Sequence, residues 1–227
     1  MNLSAYKKLT PPDVELGIRI YAQGHQNWCR HYDNYYHDIR SSSDPVNRTL
    51  EILNVVRANG WSMNRQGQCQ SITEKIHSEV ITYSELEHFW NLVDSLSAYT
   101  LRNLPPDLME VIIKLRSQLY EWHNSAATVC FTTKAILMFN TSFSPAFDTK
   151  IRKALSISAP DIDSVDLSFA FHKISNWLVE FENTHDVRIE DLASSALKSV
   201  YPSMRDIPSG RAFDMMTFGL MEASRTS

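Results

Sequence analysis

Glycine is almost absent from the middle of this chain. The 227 residues include six glycines, Gly17, Gly24, Gly60, Gly67, Gly210 and Gly219, and none lies between residues 68 and 209. A β-rich protein of this size needs glycine at hairpin turns and bulges, where the backbone takes up positive φ. Helices joined by short loops have no such need, so the scarcity points to an all-α fold. At 43% hydrophobic and 21% charged, the chain has the composition of an ordinary globular protein. Its length suits one domain over 1–227, with a division into two lobes (about 1–100 and about 101–227) left open.

A net charge of −4 gives no overall pull toward nucleic acid or an anionic membrane, though a local basic face is compatible with it. The three cysteines, Cys29, Cys69 and Cys130, form no CxxC pair. An odd, scattered set suits a reducing cytoplasm and argues against a disulfide framework or a zinc knuckle. No apolar run approaches the roughly 18 residues of a membrane span, and "MNLSAYKKLTPPDVELG" lacks a signal-peptide core. A cytoplasmic protein with no membrane partner is expected.

About eight helices can be read along the chain, and no convincing strand. "TPPDVELGIRIYAQGHQNWCRHYDNYYHDIR" reads as a helix begun by Pro11–Pro12, loosened near Gly24 and rich in aromatics. In "SSSDPVNRTLEILNVVRANG", Asp44 caps, Pro45 suits the first turn and Gly60 suits the end. Residues 61–82 are less regular and fit a loop or a short helix. Ser84 is the expected cap of a helix running to about Leu101. In "PPDLMEVIIKLRSQLYEWHN", Leu108, Val111, Ile112, Leu115, Leu119 and Trp122 fall on one face of a 3.6-residue period. Leu167, Phe171, Ile174, Leu178 and Phe181 repeat that pattern. "RIEDLASSALKSVY" is a shorter helix, and "IPSGRAFDMMTFGLMEA" a last packed one. Trp90, Trp122 and Trp177 are expected in the core.

The stretch "TVCFTTKAILMFNTSFSPAFDTKIRKAL" (128–155) raises a chemical question. Lys134 heads an apolar run, and Asp148 follows 14 residues later, after Pro145. One reading is structural. Asp148 caps the helix "TKIRKAL", with Ser144–Pro145 as a competing start, and Lys134 marks a polar face. The other is chemical. Apolar surroundings such as Phe131, Ile136 and Leu137 lower an amine's pKa and leave it free to attack the anomeric carbon of a nucleoside. A carboxylate nearby accepts the amine's proton or stabilises positive charge developing on the sugar.

"TTKAILMFNTSFSPAFDTKIRKAL" resembles the helix–hairpin–helix DNA glycosylase superfamily, especially its 8-oxoguanine-glycosylase-like bacterial branch. Thr133–Lys134, Pro145 and Asp148–Thr149 stand in that family's order and approximate spacing. "GRAFDMMTFGL" resembles the Arg-x-x-Asp-apolar segment that closes such domains. The resemblance covers roughly 120–155 and 205–220. It implies a helix–hairpin–helix glycosylase-like bundle in which Lys134 is the Schiff-base nucleophile and Asp148 the activating carboxylate. The partner would be DNA presenting a flipped base, and no cofactor or metal is implied. "CFTTK" has no glycine where the family's hairpin does. Thr132 and Thr133 would therefore offer hydroxyls and backbone amides to a phosphate, with Lys150, Arg152 and Lys153 holding the backbone beyond. A damaged base in repair and a modified base on foreign DNA are equally open substrates. The rival reading is a catalytically silent helical module that binds DNA or a protein partner.

Two further clusters carry weaker signals. In "HQNWCRHYDNYYHD", His25, His31 and His37 with Asp33 and Asp38 lack metal-ligand spacing. Trp28, Tyr32, Tyr35 and Tyr36 suit a core or interface, or stacking on a base.

Overall fold

The computed structural model describes residues 6–25, 29, 43–58, 67–122, 133, 149–155, 164–202 and 207–226, and among them the regular elements are helical. Among the described residues nine α-helices follow in chain order: α1 (Pro11–Gly24), α2 (Pro45–Ala58), α3 (Gln68–His77), α4 (Tyr83–Ser95), α5 (Leu108–Trp122), α6 (Thr149–Ala154), α7 (Ser164–His185), α8 (Ile189–Lys198) and α9 (Ser209–Thr226). A 3₁₀ turn at Leu96–Ala98 extends α4, and one isolated bridge pairs Thr100 with Asn103. The all-α expectation holds for the described residues.

Polar side chains fix where several helices begin. Asp44 caps α2 as expected, accepting from the Asn47 N–H at 2.9 Å. For α4 the expected cap, Ser84, lies two residues too late. The cap is Thr82, whose hydroxyl accepts from the Glu85 N–H at 3.3 Å while the Glu85 carboxylate accepts from the Thr82 N–H at 2.8 Å. This reciprocal pair satisfies two donors that a helix start leaves open. Asp13 does similar work at α1, accepting from the Thr10 N–H at 2.8 Å and its hydroxyl at 2.7 Å. Helix α3, within the stretch read as irregular, follows Gly67, which holds φ at 68°.

Helix α4 stops at Ser95 rather than near Leu101. The chain extends at Tyr99, and the Thr100 and Asn103 backbones pair at 3.2 and 3.1 Å. That turn delivers Leu101 wholly into the core. The two apolar stripes behave as their periodicity requires. All six named residues of α5 and all five of α7 are buried, as are Trp90, Trp122 and Trp177.

Helix α2 packs on both α3 and α4, α4 packs on α5, and α7 lies against α5. Helix α1 packs instead on α8 and, most extensively, on α9, which also receives α6. The α1–α9 crossing is made by two glycines. A Cβ on Gly219 would lie 1.8 Å from the Gly17 carbonyl oxygen, and one on Gly17 would lie 2.7 Å from the Met216 carbonyl. Both obstacles are backbone, so neither can swing aside. Beside the crossing, the Tyr6 hydroxyl donates to Thr217 at 3.2 Å, and the Trp177 indole donates to the Tyr6 carbonyl at 2.9 Å. Burial pushes the Tyr6 phenol well above its ordinary value of 10.0, against the smaller opposing effect of the Thr217 contact.

Two expectations follow for denaturation experiments. Gly219→Ala and Gly17→Ala should each cost at least about 1–3 kcal/mol through overpacking. Among the described residues Gly24→Ala meets only the Glu222 carboxylate, at 3.7 Å, and should be neutral or stabilising by up to about 1 kcal/mol. At α4, Thr82→Ala should cost about 1 kcal/mol at neutral pH. The Thr82 hydroxyl and then its N–H hold the Glu85 carboxyl below its ordinary 4.5. A depressed folded pKa gives stability that is complete above the unfolded value and is lost as pH falls through the folded one. The difference between wild type and Thr82→Ala should therefore shrink as pH drops below about 4.5.

Candidate functional site

Lys134 and Asp148 lie outside the described residues, as do Thr132 and Pro145. What is described is the framework on either side of them. Thr133 is helical and wholly buried, and it is engaged within the protein. Its side chain is therefore enclosed rather than presented at the surface. Helix α6 begins at Thr149, the residue after Asp148. Ile151, Ala154 and Leu155 bury that helix, and it rests against α9. Lys150 belongs to α6, Arg152 is half-buried and engaged within the protein, and Lys153 is exposed.

Upstream, α5 ends at Trp122. The Lys75 ammonium on α3 donates to the Trp122 carbonyl at 2.6 Å. A cation there satisfies one of the carbonyls a helix end leaves open and complements the negative end of the dipole. The helix leading toward the Lys134 stretch is therefore fixed at its last turn.

The Arg-x-x-Asp segment is structural in its geometry. Arg211 on α9 is fully buried and pairs with Asp214 one turn later. It also donates to the Tyr21 hydroxyl on α1 at 3.0 Å. Burial drives the Tyr21 phenol far above 10.0, with the Arg211 charge opposing and the Asp214 charge adding. This pair stitches α1 to α9 from inside the core.

Of the N-terminal histidine cluster, His25 is described. It lies 3.2 Å from Glu222, with the Tyr21 and Phe218 rings each 4.9 Å away. Its partners make it a part of the α1–α9 seam. His31, His37, Asp33, Asp38 and the aromatics Trp28, Tyr32, Tyr35 and Tyr36 lie outside the described residues. Among the described residues no group of three or more His, Cys, Asp or Glu could hold a metal ion, and no helix is long and apolar enough to cross a membrane. Cys29 and Cys69 are buried thiols.

One charged site is not apparent from the sequence. Arg102, in the turn before α5, donates to Glu182 on α7 from its Nε at 2.7 Å and to Glu190 on α8 at 2.8 Å. Glu182 also accepts from the Ile189 N–H at 3.0 Å and lies 3.6 Å from Arg188. Arg102, Glu182 and Arg188 edge a groove of about 390 Å³ that also includes Asp186 and Asp191. Burial disfavours the Arg102 charge, but its bonds to Glu182 and Glu190 outweigh that and raise its pKa above the ordinary guanidinium value. Arg102 engages both the Glu182 and Glu190 carboxylates, and Glu182 is also held by the Ile189 N–H. The chemistry is that of a brace joining three elements.

Glu182→Ala should cost about 1–3 kcal/mol, because it leaves the partly buried Arg102 guanidinium held by Glu190 alone. Asp214→Asn should cost about 3–5 kcal/mol, because it removes the charge paired with the fully buried Arg211. In both variants chemical denaturation should report the loss, and any activity should fall only in step with the folded fraction.

No protein-family model, curated protein or solved structure matches this chain.

Proposed function

We propose that the chain is a DNA N-glycosylase of helix–hairpin–helix type, using Lys134 and Asp148. The observation that carries the reading is the start of α6 at Thr149, immediately after Asp148, on a helix anchored against α9 by Ile151, Ala154 and Leu155. A carboxylate just before a helix start is of the type that caps exposed backbone N–H groups, and Lys134 stands 14 residues before it in sequence.

The chemistry is a substitution at the anomeric carbon of a flipped nucleotide. The Lys134 amine, relieved of its proton, attacks that carbon, and the bond from sugar to base breaks. The departing base leaves with the bonding electrons and takes up a proton. Asp148 accepts the amine's proton or stabilises the sugar's transient positive charge. Ring opening gives a Schiff base, which water hydrolyses to an abasic site. Loss of the proton next to the imine carbon would instead expel the 3′ phosphate and cut the strand. Lys150 and Arg152 are the expected backbone contacts, with Thr132 and the Thr133 backbone nearer the hairpin. The substrate base is a damaged base in repair or a modified base on foreign DNA.

The test is abasic-site formation on unmodified, oxidised and hypermodified phage DNA, with borohydride trapping of the covalent intermediate. Wild type should release base from one class of DNA and trap to it. Lys134→Gln should abolish trapping, and Asp148→Asn should slow release by roughly 10²-fold or more. Both variants should keep wild-type melting curves. Base release that survives Lys134→Gln and Asp148→Asn overturns the assignment. No release from any DNA moves the reading to a helical binding module.

A further inference from the structure

We draw no further inference here: the strongest candidate, the charged groove between Arg102 and the α7–α8 turn, is a cluster of acidic residues whose buried carboxylate, Glu182, is already engaged by Arg102, Arg188 and the Ile189 N–H, and nothing in the structure points to a ligand for it.

Discussion

Backbone touching backbone at Gly17 and Gly219 is the contact on which the arrangement of the other helices depends. Where two helices carry side chains at their crossing, their axes stand about 8–10 Å apart. Removing both Cβ atoms lets α1 and α9 come closer. That approach brings Tyr21 within reach of Arg211 and Tyr6 within reach of Thr217. The last of these pairs spans 211 residues of sequence. Closing so long a loop costs conformational entropy that no local preference can offset. The seam must recover it from dense packing and from polar groups that find their partners.

Polar groups inside this protein are used as fasteners between distant elements. Arg48 on α2 reaches Asp94 on α4 through two bonds of 2.7 and 2.6 Å and lies over the Trp90 ring. The Trp90 indole in turn donates to Thr49 at 2.9 Å and to the Pro45 carbonyl at 3.1 Å. Arg102 does the same for α7 and α8, and Arg211 for α1 and α9. Each arginine spreads its donors over a rigid planar fork, which suits it to hold two oxygens in fixed directions. Buried ion pairs add little net stability over a well-packed apolar core, but breaking one is expensive. Such pairs therefore penalise wrong packings more than they reward the right one.

Much of the fold was legible because helices repeat. The stripes of α5 and α7 announce buried faces through spacing alone, and Asp44 before Pro45 announces a start. Ser84 misled because two cap-forming residues lie two apart. The deciding signal was the Thr82-x-x-Glu85 reciprocity rather than residue type. Helix α3 was legible only as one of two options, a loop or a short helix, because it follows a left-handed glycine instead of a capping side chain. The Arg102 brace was invisible, since its partners lie 80 and 88 residues away and no local pattern links them. Gly17 and Gly219 were counted as part of a scarcity that excluded sheets, yet their positions carry the helix crossing. The candidate catalytic pair was legible only through order and spacing, because nothing in the periodicity of 128–155 separates a nucleophilic lysine from one on a polar face.

The brace at Arg102 also shapes the field outside the protein. Around that groove two arginines, Arg102 and Arg188, stand against four carboxylates, Glu182, Asp186, Glu190 and Asp191. The local surplus is two negative charges. At physiological salt such a surplus is felt over about 8 Å from the surface. The local sign disfavours close approach of a polyanion at this end of the molecule, by an amount that added salt reduces.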